Sequence, residues 1–165
     1  MDITILTDNN SSWFIPYGKM LESSLISLGH NASYVFDKND IRKGDICFLL
    51  SCTKLIQKEF LDLNKSNIVV HASDLPKGKG FSPLQWQILK GFDSIVLTLF
   101  EVVEEVDAGP YYLKEEIEFN GTELLQELRE TMARKIIEMS VDYVSEFYSI
   151  VSIEQSGEET FFPRR

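Results

Sequence analysis

Short apolar segments alternate with helical patterns through the first half of the chain, and this alternation constrains the fold more than any other feature. Four segments have the length and β-branched composition of buried strands: residues 3–7, 32–36, 45–50 and 67–71. Helical patterns at residues 17–28 and 56–61 separate them, and Gly29 stands where a helix C-cap is expected. Alternating strands and helices are typical of a parallel sheet covered by helices. We therefore predict an α/β fold, with a mostly parallel sheet and helices on both faces.

The second half of the chain predicts a helix at residues 83–89, strands at 94–102 and 111–119, and then one long helix. Asn120 and Glu123 form a capping-box pattern at its start. The long helix carries an apolar stripe: Leu125, Leu128, Met132, Ile136, Met139, Tyr143 and Phe147. Such a stripe packs into a core or against a second copy of the chain, so a homodimer stays open. We expect one domain over residues 1–150 and a polar, irregular, linker-like tail over residues 151–165.

The balance of charge excludes several classes of partner. The 165 residues include 16 Lys and Arg against 26 Asp and Glu, a net charge of −10. Such a chain repels nucleic-acid phosphates and anionic lipids, so we expect neither nucleic acid nor membrane as a partner. The apolar runs are too short to span a bilayer, and the N-terminus lacks the basic flank of a secretory signal. Two cysteines, Cys47 and Cys52, share one apolar segment, which indicates reduced thiols in the cytoplasm.

His71 stands at the end of the fourth predicted strand. Because ligands of parallel sheets bind beyond the carboxyl ends of the strands, position alone makes the following loop, residues 72–80, a candidate site. A lone histidine there is more often a structural partner than a catalyst. Lys77 and Lys79 form a basic cluster in the loop that suits a phosphate or carboxylate, with a solvated turn as the equal alternative.

Two motifs resemble those of the formyltransferases that use 10-formyltetrahydrofolate. Residues 71–86, HASDLPKGKGFSPLQW, match a signature of histidine, a small residue, serine, Leu-Pro, a basic glycine-containing loop and a proline that opens a helix. Residues 98–109 match the family's strand and aspartate loop, and Asp107 follows His71 by 36 residues. The tail resembles the linker after the catalytic domain of amino-sugar N-formyltransferases. The resemblance is strong from about residue 69 to residue 112 and weak over the first 60 residues.

The resemblance implies a Rossmann-like formyltransferase domain over residues 1–150, with His71 and Asp107 as its catalytic residues. In this family an amine attacks the formyl carbon, and a tetrahedral intermediate with a developing negative oxygen forms. His71 would stabilise that oxygen or move the amine proton, and Asp107 would orient the imidazole or accept the proton through water. One departure is Val69, which stands where the family has an asparagine and cannot donate a hydrogen bond. Asn67 lies a full strand step away.

The resemblance also implies where the ligands bind. The cofactor-binding residues would be Ser51, Thr53, Leu55, Val103 and Glu105. The substrate-binding residues would be Lys77, Lys79 and Gln85. No metal is implied.

The implied function is transfer of a formyl group from 10-formyltetrahydrofolate to the primary amine of a nucleotide-activated amino sugar in surface-glycan biosynthesis, such as a nonulosonic-acid pathway. The charge of −10 and the lack of a further C-terminal domain speak against the methionyl-tRNA branch of the family. Two other enzymatic functions stay open: formylation of glycinamide ribonucleotide and hydrolysis of formyltetrahydrofolate. A non-catalytic folate-binding domain is the alternative from another class.

Overall fold

A computed structural model of the chain describes residues 1–164, so Arg165, the last residue of the predicted tail, lies outside the described residues. The chain forms two compact units, Met1–Val69 and the residues from Val70 onward. The fold is α/β, with a mostly parallel sheet of six strands. This confirms the fold class predicted from the alternation of strands and helices.

The first unit is built from parallel strands. Its strands are β1 (Asp2–Leu6), β2 (Asn31–Val35), β3 (Gly44–Leu49) and β4 (Asn64–His71), which continues into the second unit. Its helices are α1 (Ile15–Ser27) and the short α2 (Lys58–Leu61), with a single 3₁₀ turn at Lys38–Asp40. The strand order is β2-β1-β3-β4, and each neighbouring pair is parallel.

The apolar segments of the first unit form its interior strands. Ile5 of β1 pairs with Tyr34 on one side and Phe48 on the other, and the side chains of Ile5 and Phe48 are fully buried. Strands covered on both faces have near-continuous apolar sequences, which accounts for the composition of β1 and β3. Gly29 ends α1 in a left-handed conformation with φ of 87°, and its N–H donates to the Ile26 carbonyl, as the sequence predicted.

The second unit combines two small sets of strands with two helices. Its elements are β5 (Lys79–Gly80), α3 (Pro83–Leu89), β6 (Ser94–Glu101), β7 (Tyr111–Glu118), α4 (Leu125–Glu146) and β8 (Phe161–Phe162). β6 and β7 form an antiparallel pair, with a register irregularity between Leu99 and Phe100. β5 and β8 form a short parallel pair in which Lys79 lies opposite Phe161.

The start of α4 differs from the prediction. Glu123 accepts hydrogen bonds from the N–H groups of Asn120 and Gly121, but this pair closes a turn before the helix. Gly121 has a φ of 85°, which is incompatible with a helical path, so α4 begins at Leu125. The carboxylate of Glu127 then accepts the Leu124 N–H at 2.7 Å and caps the helix.

The apolar stripe of α4 is buried over most of its length. Five of its predicted members are buried: Leu128, Met132, Ile136, Met139 and Tyr143. Leu125 at the start is 47% exposed, which corrects the prediction for that residue. The helix packs against β7 and β6, so its stripe belongs to the core of the second unit. No helix within residues 1–164 is both long and apolar enough to cross a bilayer.

The tail is more ordered than its composition indicates. The prediction of an irregular segment is wrong at Phe161–Phe162, which form β8, and at Ile153, which makes an antiparallel bridge with Tyr111. A strand of two residues has too little periodicity to be recognised from sequence, because its pairing partner supplies most of its order.

Candidate active site

His71 is held by a backbone carbonyl on one side of its ring. Its Nε2 lies 2.8 Å from the Gly78 carbonyl oxygen, and its side chain is 8% exposed. A carbonyl oxygen only accepts hydrogen bonds, so this contact requires the proton on Nε2. The other ring nitrogen, Nδ1, faces the Asp107 carboxylate at 3.8 Å from Oδ2. In the neutral ring Nδ1 therefore presents a lone pair toward Asp107.

The same carbonyl explains the spacing between the histidine and the serine of the motif. Ser73 Oγ donates to the Gly78 oxygen at 3.0 Å, beside the bond from His71. Side chains two residues apart in an extended segment point to the same side, so His71 and Ser73 reach one acceptor. Thr98 Oγ1 in turn donates to the Ser73 carbonyl at 2.7 Å, which fixes the backbone just after β4.

Gly78 occupies a place with no room for a side chain. It has a φ of 74°, and an added Cβ would lie 2.7 Å from the Phe162 ring and 2.9 Å from Ser73 Cβ. Both contacts are far shorter than van der Waals distance. Glycine at this position therefore allows the loop to bring its carbonyl to His71.

Asp107 is positioned by a backbone N–H and by a side-chain amide from two other segments. It adopts a left-handed conformation with φ of 52°, and its Oδ2 accepts the Gly80 N–H at 2.7 Å. Gln155 Nε2 donates to the Asp107 carbonyl at 2.9 Å and to the Gly109 carbonyl at 2.7 Å. Gly109 itself admits no side chain, because a Cβ would lie 1.7 Å from the Glu101 carbonyl oxygen. The carboxylate is thus fixed beside the imidazole.

The distance between His71 Nδ1 and Asp107 Oδ2 suits proton transfer from a third polar group that lies beside both atoms. At 3.8 Å, Nδ1 and Oδ2 are too far apart for a strong direct hydrogen bond. A polar N–H placed beside both atoms can donate to either. The lone pair of the neutral imidazole and the carboxylate are both proton acceptors, so the arrangement can take a proton from a bound amine.

The predicted cofactor residues of the first unit lie in a turn pinned by Asp8. The Asp8 carboxylate accepts the N–H groups of Thr53 and Lys54 at 2.8–2.9 Å, so these two donors are engaged within the protein. Ser51 has a φ of 58°, and its hydroxyl lies 2.9 Å from that of Ser12. Leu55 is 72% exposed, and its side chain is accessible to a ligand.

The predicted ligand residues of the second unit divide into exposed and engaged side chains. Val103 and Glu105 are exposed on the loop before Asp107, and Lys77 is exposed on the loop after β4. Gln85 is half-buried on α3.

Lys79 behaves differently from its neighbour Lys77. Its side chain is 1% exposed, and its ammonium binds the Glu159 carboxylate at 2.6 Å. The pairing of β5 with β8 places Lys79 against the tail. The expectation of an accessible ammonium at this position is therefore wrong for this structure.

The structure also locates Val69, which stands where the family has an asparagine, and the nearby Asn67. Asn67 is 6% exposed, and its Nδ2 donates to the Leu61 carbonyl at 2.9 Å, so its amide serves the first unit. Val69 is half-buried on β4. Neither residue supplies the amide that the family pattern has two residues before the histidine.

Sequence reasoning missed the groups that surround the candidate pair of His71 and Asp107. The Gly78 carbonyl, the Gly80 N–H and Gln155 each bond to His71 or Asp107. The glycines of the loop were a signal of close backbone approach, but their partners lie far along the chain. No sequence pattern indicated that Gln155 would contact the loop of Asp107.

The two cysteines do not offer a nucleophile. Both are free thiols, and burial raises the pKa of Cys47 to about 12. Burial and, to a smaller degree, the negative charge of Asp8 raise the pKa of Cys52 to about 12 as well. Both thiols are therefore protonated at neutral pH, when the nucleophilic form is the thiolate.

Comparison with known proteins places the chain among formyltransferases. The methionyl-tRNA formyltransferase of Thermosipho melanesiensis is 34% identical over 126 residues, which cover 74% of this chain and 40% of that protein. The solved structure of the methionyl-tRNA formyltransferase from Clostridium thermocellum matches with a TM-score of 0.83 at 25% identity, over 100% of this chain and 73% of that chain.

A second solved structure shares the fold at lower identity. It is the formyltransferase PseJ from Anoxybacillus kamchatkensis in complex with UDP-4,6-dideoxy-4-formamido-L-AltNAc and tetrahydrofolate. It matches with a TM-score of 0.79 at 19% identity, over 99% of this chain and 86% of that chain. The chain spans about two fifths of the length of the curated relatives it matches.

The family model described as formyl transferase matches residues 15–143, which include most of the chain and both His71 and Asp107. The motifs, the fold and this match agree, and the chain belongs to the formyl transferase family.

Proposed function

We propose that this protein transfers a formyl group from 10-formyltetrahydrofolate to the primary amine of a nucleotide-linked amino sugar. The observation that carries the proposal is the facing pair of His71 Nδ1 and Asp107 Oδ2, 3.8 Å apart within one compact unit. Membership of the formyl transferase family supports the reaction type. Residues 1–150, which hold this pair, remain the proposed catalytic domain.

The hydrogen bonds around His71 favour a role as a base. The folate supplies an electrophilic formyl carbon, and the attacking amine must lose a proton. The proton on Nε2 is engaged by Gly78, so the neutral ring offers a lone pair at Nδ1 on the side of Asp107. His71 would donate to the developing oxyanion only with a second proton, on Nδ1. Proton acceptance from the amine, shared with Asp107, is therefore the role that the geometry supports.

The loop before Asp107 fits the folate. Val103 and Val106 are 39% and 40% exposed, and such apolar side chains suit the flat face of a pterin. Both precede the catalytic aspartate by only a few residues, so a pterin packed on them would lie close to the reacting groups.

The acceptor is the finer part of the proposal. The exposed Lys77 suits a nucleotide diphosphate, and the solved PseJ complex contains a UDP-linked formamido sugar. The net charge of −10 opposes binding of tRNA. Methionyl-tRNA is the second candidate acceptor, because the curated relatives are methionyl-tRNA formyltransferases.

A formyl-transfer assay with several acceptors tests the proposal. The purified chain is incubated with 10-formyltetrahydrofolate and CMP-, UDP- or dTDP-linked amino sugars, or with methionyl-tRNA, and products are identified by mass spectrometry. We expect a formylated amino sugar. Formylated methionyl-tRNA instead would replace the acceptor. Free formate without acceptor would indicate hydrolysis, and folate binding without either product would indicate a non-catalytic domain.

Variants of the pair then test the residues. We expect His71→Asn and Asp107→Asn each to lower kcat/KM by about 10²–10⁴ with the fold intact, because each removes a proton-transfer group. His30→Asn is the matched control, since His30 lies in the first unit beside the N-terminal amine. Activity near that of the wild type in either site variant would remove that residue from the mechanism.

A further inference from the structure

The tail is bonded to the loop that holds His71. Thr160 makes three contacts with it: its Oγ1 accepts the Gly78 N–H at 2.8 Å, its carbonyl accepts the Lys79 N–H at 2.9 Å, and its N–H donates to Pro76. The Phe162 carbonyl accepts the Phe81 N–H at 3.1 Å. The tail therefore runs along residues 76–81, and its strand β8 pairs with β5 within this stretch.

Two of these bonds orient the residue whose carbonyl binds His71: Thr160 Oγ1 holds the Gly78 N–H, and the Thr160 carbonyl holds the Lys79 N–H. The Lys79 N–H and the Gly78 carbonyl belong to the same planar trans peptide, so they point in opposite directions. Thr160 holds the N–H end of this peptide, and His71 binds the carbonyl end. A rotation of the peptide away from Thr160 would also take the oxygen away from Nε2.

The tail also reaches the loop of the second catalytic residue. Gln155 Nε2 bridges the carbonyls of Asp107 and Gly109 at 2.9 Å and 2.7 Å. This bridge closes the backbone at the point where Asp107 takes its left-handed conformation. The tail therefore contacts the supports of both members of the pair.

Two further contacts anchor the tail in place. The buried Lys79 ammonium binds Glu159 at 2.6 Å. Trp86 Nε1 donates to the Pro163 carbonyl at 2.9 Å, and the Trp86 ring stacks on Phe162 with 6.4 Å between centroids. A segment held by an ion pair to a buried lysine and by a stacked aromatic pair has the order needed to set hydrogen-bond geometry.

We infer that the tail positions the catalytic pair, with Thr160 and Gln155 as positioning residues for His71 and Asp107. Thr160 holds Gly78 on both sides, because its hydroxyl accepts the Gly78 N–H and its backbone carbonyl accepts the Lys79 N–H. It thereby fixes the Gly78 carbonyl that binds the proton on Nε2, and the Nδ1 lone pair is left facing the carboxylate. Gln155 fixes the backbone that presents that carboxylate. The inference rests on the proposed function, since it assigns the pair a role in formyl transfer. The tautomer of His71, however, can be measured without any activity.

The test uses shape-preserving variants of the full chain. Thr160→Val removes the hydroxyl that accepts the Gly78 N–H and so loosens that side of Gly78, while the backbone bond to the Lys79 N–H remains. Thr160→Ser restores the hydroxyl. Gln155→Met removes the amide bridge. Thr122→Val is the matched control, because Thr122 bonds only within the exposed turn before α4 through the contacts to Asn120. The chain has two histidines, so a His30→Gln background leaves the ring signals of His71 alone in a ¹⁵N NMR spectrum.

We expect the wild-type spectrum to show the proton of neutral His71 on Nε2, and Thr160→Val to shift the ring signals toward a mixture of tautomers. We expect kcat to fall about tenfold or more in Thr160→Val and Gln155→Met, with KM for the folate changed less than about twofold, because the loss is one of orientation. Thr160→Ser should restore both the spectrum and kcat. Thr122→Val should match the wild type.

The outcomes separate the inference from the proposed function. Wild-type ring signals and wild-type kcat in both folded variants would overturn the inference while the function stands. Should Thr160→Val fail to fold, a wild-type kcat in Gln155→Met would overturn it. A changed tautomer in Thr160→Val, with no formyl transfer by the wild type to any acceptor, would support positioning of the ring and refute the function.

Discussion

Removing the carboxylate of Glu159 should destabilise the protein more than removing any exposed ion-pair partner. The Lys79 side chain is 1% exposed and its ammonium lies 2.6 Å from Glu159 Oε1, whereas Glu159 is 50% exposed. Glu159→Ala leaves a buried ammonium without its partner. A buried charge retains most of its desolvation cost when the compensating charge is lost.

The exposed fractions of Lys79 and Glu159 set the limits for the expected loss in the free energy of unfolding. Breaking a buried pair costs about 3–5 kcal/mol, and an exposed pair contributes about 0.2–1 kcal/mol. Because Lys79 is buried and Glu159 is half-exposed, we expect a loss of about 2 kcal/mol in the free energy of unfolding. For a chain of this size such a loss lowers Tm by about 4–8 °C.

A double-mutant cycle measures the effect by urea and thermal unfolding. Lys79→Met fills the buried volume without a charge, so the double variant Lys79→Met/Glu159→Ala should regain most of the stability that Glu159→Ala loses. Glu130→Ala is the matched control: Glu130 pairs with Arg134 at 2.7 Å, but both side chains are exposed, so it should cost less than about 1 kcal/mol. If Glu159→Ala costs no more than Glu130→Ala, or if the double variant is no more stable than Glu159→Ala, the reasoning is refuted.

Two further predictions concern a tight loop and a buried thiol. Gly109→Ala should cost at least about 3 kcal/mol by thermal unfolding, because its Cβ would lie 1.7 Å from the Glu101 oxygen. Gly121→Ala, at positive φ but in open space, should cost about 1–2 kcal/mol, and equal melting of the two variants would contradict the argument. Burial raises the Cys47 pKa from an ordinary 9.0 to about 12, so the folded thiol is protonated up to high pH. Because Cys47 is also only 1% exposed, its alkylation by iodoacetamide at pH 8 should be at least about a thousandfold slower than in the unfolded chain. A rate within about tenfold of that of the unfolded chain would show an accessible thiol with an ordinary pKa.

The parts of the fold that the sequence predicted are those controlled by local periodicity. The apolar runs of β1 and β3 reflect strands that are buried on both faces. The stripe of α4 reflects burial of one helix face, which recurs every three to four residues. The end of α1 at Gly29 depends on a single residue's backbone freedom. The predicted start of α4 was wrong for the same reason. The positive φ of Gly121 interrupts the helical path, so the pair of Asn120 and Glu123 closes a turn before the helix and does not cap it.

The same distinction between local and distant contacts applies to the residues of the candidate site. His71 could be named because it stands at the end of a predicted strand, which is a local feature, whereas Asp107 was named from the resemblance to the family's aspartate loop. The accessible Lys77 and the engaged Lys79 could not be told apart, because the partner of Lys79 lies 80 residues away.

The amino-acid sequence by itself determined the alternating elements, the family motifs and the two residues of the candidate pair. Tertiary structure alone decided how those residues are held. The Gln155 bridge spans 48 residues and the Thr160 bond to Gly78 spans 82. Contacts at such separations depend on where the chain returns in space, and side-chain periodicity carries no record of that position. The sequence of the tail resembles a linker, but in the folded protein the tail is hydrogen-bonded to the loops around His71 and Asp107.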